Sequence, residues 1–202
     1  MNAPGKPKRR GPYAASRARK AAIARAVLDI VDESGLRAAT TALVAQRTQI
    51  PEPSVLYHFA TKDDLLIAAL RLADAELTAT VQTDVHTGNL DWDVFFATGG
   101  HGPYSSSHRH QLNALIIGLA AHPRHPAAEY VSERIGKAVD VWSSLIAARQ
   151  NRGLADPGID PRTAARQVLA ILHGVNLLAR EPDGPTTQQL AADAVSRLLD
   201  RR

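Results

Sequence analysis

The stretch that most restricts this chain runs from Thr40 to Lys62, TTALVAQRTQIPEPSVLYHFATK. Pro51 and Pro53 interrupt an otherwise helix-forming sequence, so no single helix can cross it. Pro51 lacks a backbone N–H and biases Ile50 away from the helical region. That ends a short first helix over 42–47, with Leu43 and Val44 facing inward. Thr40 or Thr41 can cap this helix by accepting a hydrogen bond from a first-turn N–H. Pro53 fits the first turn of a second helix, where its missing donor is no loss, and Ser54 to Phe59 supply the rest. Thr61-Lys62-Asp63-Asp64 then reads as a cap followed by acids in the first turn of a longer helix, where the helix dipole favours negative charge. Two short helices across a tight turn, braced by a longer preceding helix, describe a DNA-reading helix-turn-helix. Short helices joined by turns also serve as packing corners in all-helical domains, so charge has to separate the two readings.

Residues 1–62 carry eleven Lys or Arg against four acids, and residues 63–202 carry thirteen against sixteen. The overall net charge of +4 therefore divides into a cationic head and a mildly acidic body, the distribution of a polyanion-binding module joined to something else. Residues 1–15 hold Pro4, Pro7, Pro12, Gly5 and Gly11 among Lys6, Lys8, Arg9 and Arg10. Such a segment buries little and is expected to be a disordered basic arm, either solvated or lying along phosphates or in a minor groove. A hydrophobic content of 45% suffices for a packed core. No apolar run approaches the ~18 residues that span a bilayer, and no apolar segment of a secretory signal follows the basic start. The lack of cysteine excludes disulfides and thiolate metal sites. A soluble, cytoplasmic protein with no membrane partner is expected.

The remainder reads as helices. The first long one is expected from Ser16, its cap, to Ser34, with Ile23, Val27, Ile30 and Val31 on one face, Arg17, Arg19, Lys20 and Arg25 in its first half, and Gly35 ending it. A connecting helix from Asp63 to about His86 shows an apolar stripe through Leu65, Leu66, Ala69, Leu72, Ala73, Leu77 and Val81, and Gly88-Asn89 breaks it. A short helical piece over 90–97 precedes a glycine-rich break. Ser105 or Ser106 starts the next helix, with Leu112, Leu115, Ile116 and Leu119 buried. Another runs from Ala127 to about Asn151, with Val131, Ile135, Val139, Trp142 and Ile146 on one face, and ends at Gly153. Asp160-Pro161 opens the next with a cap and an N1 proline; Thr186 caps the last. Alternating β-branched runs are missing, so the fold is expected to be all-α. The expected domains are the arm (1–15), a three-helix DNA-binding domain (16–62), and a helical body (63–202) for ligand binding and dimerisation.

At this point residues 20–70 resemble the DNA-binding domain of TetR-family transcriptional regulators. The matching elements are AIARAVLDIVDESG, then TTALVAQRTQI, then PSVLYHFATKDDLL. An aromatic-His-Phe, a short turn, and Lys-Asp before paired leucines carry the likeness. The stretch RGLADPGIDPRTAARQVLAILHGV resembles the family's C-terminal region more loosely. The chain departs from the family where Gln49 stands for a common glycine, Pro51 for a serine and Leu56 for a tyrosine. The resemblance implies a homodimer whose last two helices, here from Pro161 to Ala179 and from Thr186 to Leu199, pair into a four-helix bundle. It also implies a palindromic operator, with repression the commoner mode. Small residues such as Ala164, Ala165, Ala191 and Ala192 would allow close helix approach, although an ordinary intrachain hairpin needs no more.

If the helix from Pro53 to Phe59 enters the major groove, Ser54 and Glu52 meet base edges, Glu52 by accepting from a cytosine amino group. Pro51 and Pro53 offer only apolar contact, for instance to a thymine methyl. Thr40, Thr41, Tyr57, His58 and Lys62 would bond phosphate oxygens, as would the N–H groups at the start of the helix at Lys62. Arg17 and Lys20 would add charge along the backbone. Leu56 and Phe59 are expected in the core.

In the body, Trp92, Phe95, Phe96, Tyr104 and Trp142, with His108, Asn113, His173 and Asn176 as polar groups, could line a pocket for an unknown small-molecule effector; the same aromatics could simply fill the core. His108 and His110 stand i, i+2 on different helix faces without acids nearby, so no metal site is expected. No glycine-rich phosphate loop, nucleophile motif or paired carboxylates point to an enzyme or a cofactor. The rival reading is a helical small-molecule-binding or interaction protein without sequence-specific DNA binding.

Overall fold

The computed structural model of the chain describes residues 12–87, 107–178 and 187–199, and their side chains except at 12, 81–87, 107, 176–178 and 187–188. Among them are eight helices and no strand: α1 (Pro12–Ser34), α2 (Thr41–Thr48), α3 (Glu52–His58), α4 (Lys62–Thr87), α5 (Ser107–Ala120), α6 (Pro126–Asn151), α7 (Pro161–Leu178) and α8 (Thr187–Leu199). The fold is all-α, and no described helix is long and apolar enough to cross a membrane. The chain divides into two compact units, Met1–Leu72 and Ala73–Arg202. Helix α4 belongs to both.

In the first unit, α1 begins at Pro12, four residues before the expected cap at Ser16. A proline is well tolerated in a first turn, and the run Tyr13-Ala14-Ala15 favours helix enough to carry it forward, so Ser16 lies inside the helix and does not cap it. Ile23, Val27, Leu28, Ile30 and Val31 are fully buried. Gly35, at φ 78°, ends the helix, its N–H bonding the Val31 carbonyl at 2.9 Å, the left-handed terminus that glycine accepts without a Cβ clash. Val44 of α2 and Val55 of α3 are buried, as are Leu65, Leu66, Ala69 and Leu70 of α4. Each such Val or Leu contributes about 1.5–3 kcal/mol relative to exposure.

In the second unit, Val139, Trp142 and Ile146 of α6 pack with Ala164, Ala165, Val168 and Leu169 of α7 and Ala191, Val195 and Leu199 of α8. The α6–α7 connection is fastened to this core. Gln150 donates to the carbonyls of Asp156 (2.7 Å) and Ile159 (2.8 Å), and the Asp156 N–H bonds the Leu199 carbonyl at 2.9 Å. Asp160 caps α7, accepting from the Thr163 N–H at 2.8 Å ahead of Pro161. Gly153 sits at φ 73° just past α6.

One apolar stripe differs from expectation. Ile135 of α6 is 44% exposed. Arg134 takes the inward place, because the neighbouring surfaces there are polar: its Nε lies 2.9 Å from Asp74 Oδ2 of α4, and its Nη1 donates to Asn113 Oδ1 of α5 at 2.6 Å. Tyr130 donates its hydroxyl to the same Asp74 oxygen.

Candidate nucleic-acid interface

Helices α2 and α3 are set by three local devices. Thr40, in extended backbone, caps α2 by accepting from the Leu43 N–H at 3.3 Å. Gln49 then turns the chain through the left-handed region, at φ 56° and ψ 25°. Thr48 steadies this turn; its hydroxyl donates to the Val44 carbonyl (2.7 Å) and accepts from the Ile50 N–H (3.3 Å). Pro51 precedes α3 without a side-chain cap, and Pro53 occupies its first turn.

Across the turn, Thr41 of α2 donates its hydroxyl to Glu52 Oε1 of α3 at 2.5 Å. This bond joins the two helices and engages one oxygen of the carboxylate that sequence alone offered to a cytosine. A side-chain bond eleven residues apart has no periodic signature. On the other side, Arg47 of α2 pairs with Glu33 of α1, one N–H···O contact being 3.0 Å. That bond holds the Glu33 carboxyl below its usual range.

The start of α4 is a capping box. Asp64 accepts from the Thr61 N–H (3.0 Å) and hydroxyl (2.8 Å), and the Asp64 N–H bonds the Thr61 hydroxyl oxygen (3.1 Å). Lys62 donates from Nζ to the Leu36 carbonyl at 3.0 Å, tying α4 to the α1–α2 connection.

Of the expected contact residues, Arg17, Lys20, Thr40, Pro51, Pro53, Tyr57 and Lys62 are exposed, and Thr41, Glu52, Ser54 and His58 are half-buried. Tyr57 is 86% exposed, its ring and that of His58 T-shaped with centroids 5.4 Å apart. Leu56, expected in the core, is 45% exposed. On a seven-residue helix Val55 supplies the buried side chain, and its neighbour in sequence turns to solvent. Phe59 is only half-buried.

The body residues fall differently. Trp92, Phe95, Phe96 and Tyr104 lie outside the described residues, as does the side chain of Asn176. Trp142 is part of the α6–α7–α8 core. Asn113 is buried and bound to Arg134. His173 is half-buried, with Nδ1 donating to the Leu169 carbonyl of its own helix at 2.6 Å. His108 and His110 are half-buried on α5, and burial pushes the His110 imidazole below its ordinary pKa. Arg134, Asp74 and Tyr130 were missed by sequence reading, because apolar periodicity marks only apolar positions.

Residues 23–69 match the model of the family described as bacterial regulatory proteins, tetR family. A comparison with curated protein sequences found no match. Among solved structures, the chain is similar to a TetR-family transcriptional regulator from Cytophaga hutchinsonii (13% identity, 91% of this chain and 94% of that one, TM-score 0.68). It is also similar to a protein described as a transcriptional regulator from Saccharomonospora viridis, in complex with choline (14%, 92% and 100%, TM-score 0.69). A third is the multidrug binding protein EbrR complexed with imidazole (24%, 91% and 96%, TM-score 0.59). At these identities the likeness is one of fold.

Proposed function

Because residues 23–69 belong to the tetR family of bacterial regulatory proteins, we propose that this chain is a ligand-responsive transcriptional repressor acting in the cytoplasm. It binds a palindromic operator as a homodimer and leaves it when a small molecule occupies the body. The observation that carries this reading is the presentation of α3: a short helix, locked to α2 by Thr41–Glu52, with Tyr57 almost wholly exposed. A helix so held and so bare is suited to the major groove.

In this reading Thr40, Tyr57, His58 and Lys62 bond phosphates and set register, with Arg17 and Lys20 of α1 adding charge. Pro51, Pro53 and Ser54 approach base edges. Thr41 acts chiefly by holding Glu52 through Oε1, which leaves Oε2 to accept from a base. Helices α7 and α8 supply the dimer interface, and Leu190, 39% exposed on α8, is one apolar residue that a partner would cover.

Helix α4 is the natural transmitter, since it starts at the Thr61 capping box and carries Asp74, held by Arg134 and Tyr130, three turns later. A ligand can release DNA only by as much as it prefers the state with α4 displaced. Candidate effector-binding residues are His108 and His173, together with Trp92, Phe95, Phe96 and Tyr104; fold relatives were solved with choline and with imidazole.

The test is footprinting of the promoter region beside the chain's own gene, with and without candidate effectors. A two-fold symmetric protected site that is lost on adding effector supports the proposal. Random or absent protection contradicts it and favours a helical binding protein that does not read DNA.

A further inference from the structure

The outward face of α3 is apolar. Pro53, Leu56 and Tyr57 stand at i, i+3 and i+4, which places them on one face, and all three are exposed. Single exposed apolar residues are commonplace on proteins; three on the same side of a two-turn helix form a surface. The polar side chains of α3 are less exposed than these three. Glu52 accepts the Thr41 hydroxyl at 2.5 Å, and Ser54 and His58 are half-buried, the His58 ring lying T-shaped to that of Tyr57. Between Glu52 and His58 there is no Arg, Lys, Asn or Gln. The exposed amides of Gln46 and Gln49 lie on α2 and in the turn, outside this face.

Each base offers the major groove a different chemistry. Guanine calls for a guanidinium or ammonium, adenine for an amide, cytosine for a carboxylate, and the thymine C5-methyl for an apolar contact. The face of α3 lacks the first two, has the third only in Glu52, half-buried and tied through one oxygen to Thr41, and presents the fourth on three exposed residues. We infer that α3 selects its site through the 5-methyl groups of thymine, with Leu56 as the specificity-determining residue and Pro53 beside it. This rests on the proposal that α3 enters the major groove. It also gives a role to a leucine at a position where burial does not account for it.

The probe is a duplex selected from a randomised pool by the full-length protein, then resynthesised with deoxyuridine replacing thymine one position at a time. That exchange removes one methyl group and leaves base pairing intact. The expected result is at least one thymine per half-site whose replacement weakens binding about fourfold, the effect of withdrawing one apolar carbon from contact. The Leu56→Ala protein should bind the thymine and uracil duplexes equally at that position. Leu56→Gln should lose the thymine preference in the same way, and the exposure of residue 56 makes both variants compatible with folding. Selective binding that ignores every thymine-to-uracil exchange overturns the inference and leaves the regulator reading standing, as does undiminished discrimination by Leu56→Ala. Failure to bind or enrich any duplex overturns both.

Discussion

Arg134 and Asp74 form a largely enclosed ion pair, with Nε 2.9 Å from Oδ2 and side-chain exposures of 13% and 20%. Tyr130 donates to the same carboxylate oxygen and Asn113 accepts from the same guanidinium. A charge removed from water needs its partner, so truncating one side strands the other. Arg134→Leu and Asp74→Leu should each destabilise the protein by about 3 kcal/mol. The double variant should recover much of that loss. Denaturant unfolding in a double-mutant cycle reads the coupling; strict additivity of the two single losses would show that the pair contributes nothing.

Gln49 holds φ 56° without being a glycine or asparagine. A left-handed residue with a Cβ costs roughly 1–2 kcal/mol, part of which glycine returns as greater freedom of the unfolded chain. Gln49→Gly is therefore expected to stabilise the protein by about 0.5–1 kcal/mol, seen as a higher denaturant midpoint at constant slope. Gln49→Val, β-branched and ill-suited to positive φ, should move the midpoint down.

Asp160 caps α7, and hydrogen bonds from the Thr163 hydroxyl and backbone N–H hold its carboxyl below the usual carboxylate value. A depressed folded-state pKa means that the ionised form favours folding. Its contribution is complete above the unfolded-state pKa and is lost as pH falls through the folded-state one. Asp160→Ala should melt lower than the parent at neutral pH, and the two melting temperatures should converge in acid. A gap that is constant across pH would mean that the carboxylate charge plays no part in the cap.

Lys62 donates to the Leu36 carbonyl at 3.0 Å within the chain, and we propose that it also bonds a phosphate in the complex. Lys62→Ala should weaken binding to all duplexes by a similar factor and reduce the slope of log affinity against log salt by about 0.9 per lost contact. Lys62→Arg should keep the slope. If the alanine variant leaves the slope unchanged, the intrachain bond is its whole role.

The elements most legible in the sequence were those fixed by local chemistry. Thr40, Pro53, Gly35, Gly153 and Asp160-Pro161 each act within a turn of their position, and the structure places each as expected. Ser16 failed as a cap because the residues before it, from Pro12, are themselves helical. Leu56 failed as core because a seven-residue helix buries one side only, and Val55 takes it. The Thr41–Glu52 and Arg134–Asp74 bonds join residues eleven and sixty positions apart. Distance in sequence hides such pairs, and Arg134 also lies beside the apolar stripe that pointed to Ile135.

The central claim is that the cationic first unit binds duplex DNA. Its most direct test is an equilibrium titration of the full-length protein with promoter-region duplex over a range of salt concentrations. The account predicts tight binding at low salt that weakens linearly on a log–log plot, with a slope reflecting several phosphate contacts. No binding at low salt, or an affinity indifferent to salt, would contradict it.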